Sequence, residues 1–130
     1  MINRVTLVGR LGGDPEIRTL SSGSMVAKFS LATSENYKDR AGEWQEETQW
    51  HDVVVWRHLA ERAQRDLRKG SLVYLEGKLT HRKWEDKEGN TRRTTEVVGA
   101  MMRALDGRRD KPDSTPEAGT GMEPEEDLPF

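Results

Sequence analysis

The chain contains no cysteine among its 130 residues. That removes disulfides, thiol nucleophiles and cysteine-ligated zinc or iron–sulfur sites, and it fits a reducing compartment. No window approaches the ~18 consecutive apolar residues that a membrane span needs, so no membrane partner is expected. The start, Met1-Ile2-Asn3-Arg4-Val5, has neither the apolar run of a signal peptide nor the Arg/Ser bias of a transit peptide; the expectation is a cytoplasmic protein. His51, His58 and His81 lack metal-ligand spacing. No nucleophile elbow, P-loop or dinucleotide fingerprint is present, so no catalytic residue, metal or cofactor is expected.

Large apolar residues are also scarce. Leu, Ile, Val and Phe number 24 of 130, and two of these, Leu128 and Phe130, stand at the very end. The other 22 lie within residues 1–105, enough for one modest core of the kind that oligomerisation often supplements. The net charge of −2 is small, but it sums two unlike segments. Residues 1–109 hold 20 basic and 16 acidic side chains, a net of +4, whereas residues 110–130 hold Lys111 against seven acids, a net of −6.

Five stretches carry strand patterning: 2–11, 25–33, 48–57, 71–83 and 92–102. In the first, Val5, Leu7 and Leu11 share a face; in the second, Met25, Ala27, Phe29 and Leu31 do. Turn signals separate the stretches at Gly12-Gly13-Asp14-Pro15, Ser21-Ser22-Gly23, Asp39-Arg40-Ala41-Gly42 and Asp86-Lys87-Glu88-Gly89-Asn90. Gly9-x-x-Gly12-Gly13 at a strand end reads as barrel curvature and a turn, not a phosphate loop. One segment, 58–69, has helical period, with Leu59, Ala63 and Leu67 on one face, Lys69 in the last turn and Gly70 at the expected left-handed C-cap. Three strands, one helix and two strands is the order of an OB-fold, an all-β five-stranded barrel with its helix between strands three and four. A β-sandwich, the competing architecture, wants about seven strands and no helix. Residues 106–122 are Gly, Pro, Ser, Thr and charge and read as a disordered linker to an acidic tip, 123–130.

Aromatics are few, four Trp, two Tyr and two Phe, but their placement is informative. Alternation in the third strand puts Val53 and Val55 toward the core, and His51 with them, so His51 reads as a packed or interface histidine. Trp50, Asp52, Val54 and Trp56 then face outward. Trp84 sits at the rim of a charged hairpin beyond Arg82 and Lys83, and Tyr37 lies beside Lys38 and Arg40 in the loop after strand two. A flat ring stacks on any unpaired base, worth ~1–3 kcal/mol per base, while neighbouring cations hold phosphates. Arg4, Arg10, Arg57, Lys69, Lys78, Arg82, Lys83, Arg92 and Arg93 supply those cations. Trp44 stands in an acidic stretch, Glu43, Glu46 and Glu47, which disfavours direct phosphate contact.

The chain closely resembles the bacterial single-stranded DNA-binding proteins. The resemblance rests on an ordered set of stretches: Asn3-Arg4-Val5-x-Leu7-Val8-Gly9-Arg10-Leu11-Gly12-x-Asp14-Pro15-Glu16, Leu31-Ala32-Thr33-Ser34-Glu35, Thr48-x-Trp50-His51, Leu67-Arg68-Lys69-Gly70-Ser71-x-Val73-Tyr74-x-Glu76-Gly77, Arg82-Lys83-Trp84-x-Asp86-x-x-Gly89 and Thr94-Thr95-Glu96-Val97, then the terminal Asp127-Leu128-Pro129-Phe130. It implies an OB-fold homotetramer over residues 1–105 that wraps single-stranded DNA, with Tyr37, Trp50, Trp56 and Trp84 at stacking positions and His51 and Tyr74 at interface positions. Tyr37 and Trp56 stand where related proteins often have Trp and Phe, and both retain a stacking face. Asp52 stands where a basic residue is common, and the 17-residue linker, 106–122, is short for the family. The tip, Glu125-Glu126-Asp127-Leu128-Pro129-Phe130, resembles the motif by which such proteins dock replication, recombination and repair enzymes. The expected function is therefore sequence-tolerant binding and protection of single strands by a cytoplasmic, nucleoid-associated protein that is not an enzyme. An OB-fold primosome adaptor and a cold-shock RNA chaperone are the competing readings; the second lacks an RNP-like aromatic cluster within one strand.

Overall fold

The structure, a computed structural model, describes residues 1–106. Its elements run β1 (Val5–Leu11), β2 (Glu16–Thr19), β3 (Met25–Lys38), β4 (Trp44–Trp56), α1 (His58–Asp66), β5 (Leu72–Glu85) and β6 (Thr91–Ala104). Neighbouring strands follow the order β1-β5-β6-β4-β3-β2, and β1 also pairs β3, Arg10 with Ala32 and Leu11 with Leu31. That contact closes a five-stranded barrel of β1, β3, β4, β6 and β5, with β4 and β6 parallel. The helix falls between the third and fourth barrel strands, as in an OB-fold.

Inward alternation builds the core. Ala27, Phe29 and Leu31 of β3 meet Val53 and Val55 of β4 and Val73 and Leu75 of β5, all buried. The helix covers one end of the barrel with Leu59, Ala60 and Ala63, and Leu67 joins them from beyond its last turn. Gly9 sits where β1 closes on β3; a Cβ there would stand 2.2 Å from the Ala32 carbonyl oxygen, so only glycine permits the closure.

Four features depart from the sequence patterning. A short strand, β2, lies within what reads as a gap and pairs the outer edge of β3. The second and third patterned stretches continue much further, to Lys38 and back to Trp44, so Tyr37 is on a strand and not in a loop. Their extensions form a two-stranded arm in which every residue from Trp44 to Trp50 is exposed. The helix ends at Asp66, not Lys69, because Leu67 is already extended (φ −111, ψ 145); Gly70, at φ 89, turns the chain after the helix without capping it.

Both long hairpins close with the same device, Asp-x-x-Gly-x. Asp39 Oδ1 accepts from the backbone N–H groups of Ala41 and Glu43, each 2.9 Å. Asp86 Oδ1 accepts from Glu88 at 3.0 Å and Asn90 at 2.9 Å. Gly42 (φ 82) and Gly89 (φ 83) supply the left-handed residue each turn requires. The backbone bond from Glu43 is the main cause of a lowered pKa at Asp39, and that from Asn90 plays the same part at Asp86.

Candidate nucleic-acid interface

Register fixes which side chains share a face. In the β3–β4 pair, Ala32 opposes Trp50 and Val26 opposes Trp56, so both indoles lie on the outer face. They are 61% and 40% exposed, although Trp is usually well buried. Trp50 lies against the chain just past β1, where a Cβ on Gly12 would stand 2.5 Å from the ring. Glycine at that position lets the indole rest on bare backbone. Gly12→Ala is expected to push the ring aside while leaving the barrel folded, because the clash is with the far end of a side chain. Tryptophan emission should then shift with an unchanged circular dichroism spectrum. An unchanged emission spectrum would contradict this seating.

Around Trp50 is an open groove of about 600 Å3, whose polar walls include Lys28, Asp52, Arg82, Thr94 and Glu96. A second groove, about 330 Å3, carries Trp56 beside Arg18, Leu20 and Val98. Lys28, Val54, Arg82 and Glu96 line both, so the two tryptophans share one continuous surface. Trp84 joins it from β5. It is on the same strand face as Arg82, and its indole N–H donates to Thr94 Oγ1 at 2.8 Å.

The surface is not simply basic. Arg82 makes a two-point pair with the nearly buried Glu96, Nε to Oε1 at 3.3 Å and Nη2 to Oε2 at 3.1 Å. That pairing raises the guanidinium's pKa and offsets much of its charge. Asp14, Glu16 and Asp52 also border the Trp50 groove.

The other sequence-predicted residues lie elsewhere. Tyr37 opposes Gln45 and therefore projects from the arm's other face than Trp50 and Trp56. Lys83 alternates with Arg82 and points to the opposite face of β5. Arg4 belongs to a separate groove with Asn3, Glu76 and Lys78. Arg10 donates to the Gly70 carbonyl at 2.9 Å and pairs with Asp106 at 3.7 Å. The Lys69 backbone N–H donates at 2.8 Å to Oδ1 of Asp14, a residue that lines the Trp50 groove. His51 is half-buried and hydrogen-bonds Thr33 Oγ1 at 2.9 Å. Tyr74 opposes Val8 and Arg103 on the outer face of the β1–β5–β6 sheet and donates its hydroxyl to Glu76, which raises the phenol's pKa. The tip residues, 123–130, and most of the linker lie outside the described residues.

Sequence reasoning passed over Lys28, Arg18 and Thr94. Lys28 alternates outward between Ala27 and Phe29, so its parity was readable. Arg18 is on the unread strand β2, where Ile17 alone turns inward.

Arg57, directly after Trp56, is the only non-glycine residue with positive φ among those described (φ 56, ψ −124). Such a conformation favours glycine and costs roughly 1–3 kcal/mol for other residues. Arg57→Gly is expected to stabilise the fold by about 1 kcal/mol after the added unfolded-chain entropy of glycine, raising Tm by several degrees. A lower Tm would show that the backbone there is unstrained.

An OB barrel with exposed indoles on one outer surface is the architecture of a single-strand-binding module. The chain belongs to the single-strand binding protein family, whose model matches residues 2–105. It is 44% identical over 122 residues to a single-stranded DNA-binding protein of Neisseria meningitidis serogroup A, spanning 93% of this chain and 70% of that one. Among solved structures it resembles the Plasmodium falciparum SSB in complex with ssDNA, at a TM-score of 0.74 and 36% identity, covering 82% of this chain and 96% of that one. No helix among the described residues is long and apolar enough to cross a membrane.

Proposed function

We propose that this protein binds single-stranded DNA without sequence preference and protects it during replication, recombination and repair. The observation that carries the reading is the exposure of Trp50 and Trp56 on one grooved face of a barrel of this family. Bases stack on Trp50, Trp56 and Trp84, while Lys28 and Arg82 hold the intervening phosphates. Arg4, Arg10, Arg57, Lys69, Lys83 and Tyr37 extend the contact around the barrel. The role is binding, with no reaction catalysed, in the cytoplasm and at the nucleoid.

Residues 1–105 bind DNA and associate into a homotetramer. Val8 (49% exposed), Met101 (37% exposed) and Tyr74 set apolar side chains among Glu76 and Arg103 on the outer sheet face, a mixed surface suited to that association, and His51 contributes at the base of the arm. Residues 106–122 tether the tip, 123–130, which captures replication, recombination and repair proteins. Competition among single-stranded DNA, duplex DNA and RNA of equal length tests the reading; preference for the duplex or for RNA overturns it.

A further inference from the structure

Trp44 is the most exposed tryptophan of the described residues, at 68%. It stands at the outer end of β4, opposite Lys38, and the Lys38 ammonium lies over its ring, 5.4 Å from the centroid. Trp44, Trp50 and Trp56 recur every six residues along β4, an even interval that puts all three on one face of the strand. Adjacent members are therefore separated by about 20 Å at the rise of a strand. The arm that carries Trp44 has no core of its own, since residues 44–50 and 34–38 are all exposed. Its tip is nonetheless held by the Asp39 turn, where the side chain of Gln45 also donates to Asp39 Oδ2 at 3.2 Å. An ordered arm presenting an uncovered indole continues the stacking row past the barrel.

From this juxtaposition we infer that Trp44 and Lys38 form an outer platform for single-stranded DNA, reached after the strand has passed Trp50 and Trp56. The inference rests on the DNA-binding reading above and extends its path. The indole takes a base on its open face, and Lys38, already at the ring, meets a flanking phosphate. The neighbouring acids Glu46 and Glu47 do not oppose this equally. Glu46 shares the platform's face, whereas Glu47 pairs with Glu35 on the other. The platform therefore contributes mainly through stacking, with the single cation of Lys38 offsetting Glu46. This differs from the sequence reading, in which the acidic surroundings set Trp44 aside.

The test uses full-length chain and oligo-dT of graded length, from about 4 to about 16 nucleotides, the range held by single OB domains, and longer. Trp44→Ala is expected to bind the shortest oligonucleotides like wild type and to lose roughly fivefold to a hundredfold on the longest. Trp44→Phe should restore most of that loss, and Lys38→Gln should cause a smaller one that vanishes at high salt. Equal affinity of Trp44→Ala and wild type at every length overturns the inference. So does a uniform loss at all lengths, or a change in oligomeric state by light scattering, either of which makes Trp44 a structural or protein contact. If wild type itself fails to bind oligo-dT, the DNA-binding reading falls and the platform with it; failure of the platform alone leaves wild-type binding intact.

Discussion

Replacing Trp50 and Trp56 together with alanine is expected to weaken oligo-dT binding by roughly 30-fold to 10,000-fold. Each base–indole stack is worth ~1–3 kcal/mol, and a factor of ten corresponds to about 1.4 kcal/mol. The two rings are six residues apart on a strand, about 20 Å, so their contributions should add with little coupling. Neither ring belongs to the buried core, so the loss should come with a nearly unchanged melting temperature. Fluorescence anisotropy with labelled oligo-dT, paired with thermal melts, separates the two effects. Affinity equal to wild type in the double variant would sink the site assignment.

Deleting residues 123–130 is expected to leave oligo-dT binding within a few-fold of wild type and to abolish capture of partner enzymes. The deleted segment holds four acids and ends on a phenylalanine. A solubilising tail needs the charge but has no use for an aromatic ring beside it. A docking tip uses both: the Phe130 ring fills an apolar pocket while the acids meet Arg or Lys. Removal of Phe130 alone should therefore abolish most of the capture while leaving every side-chain charge in place. Partner proteins that still bind the truncated chain would refute the tip. Because the tip is acidic and the body net positive, the deletion should also tighten DNA binding slightly at low salt.

The barrel was legible because its inward positions alternate cleanly. Ala27, Phe29 and Leu31, and Val53 and Val55, are core residues in both the pattern and the structure. The arm was not legible, because apolar alternation is a signature of burial. Residues 34–38 and 44–50 are stranded yet bury nothing, so their ladder leaves polar letters and three scattered aromatics, Tyr37, Trp44 and Trp50, with no apolar alternation. Strand β2 escaped for a related reason: in four residues it has one inward apolar side chain, Ile17. The helix end was misplaced because Leu67 keeps the helical period while its backbone is already extended. The core still receives Leu67, so the periodicity was correct about burial and wrong about conformation.

At the candidate site, tryptophan parity was readable and pairing was not. Trp50 and Trp56 line adjoining grooves and Trp84 reaches Thr94 beside the first, but Tyr37 and Lys83 fall on opposite faces of their own strands from those rings. Parity within the arm is clear only once the strand is known to reach Lys38. The Arg82–Glu96 pair joins residues 14 apart on adjacent strands, a contact set by the β5–β6 register. That pair, with Asp14, Glu16 and Asp52 nearby, makes the grooves nearly balanced in charge. Stacking should consequently outweigh phosphate neutralisation, and the salt dependence of binding should be shallow for a nucleic-acid-binding surface.

Intrinsic tryptophan emission during titration of the full-length chain with oligo-dT tests the central claim most directly, because the exposed indoles are both the proposed contacts and the reporters. The account predicts a deep, saturable quench that persists at moderate salt. Binding detected by anisotropy with no change in emission would contradict it.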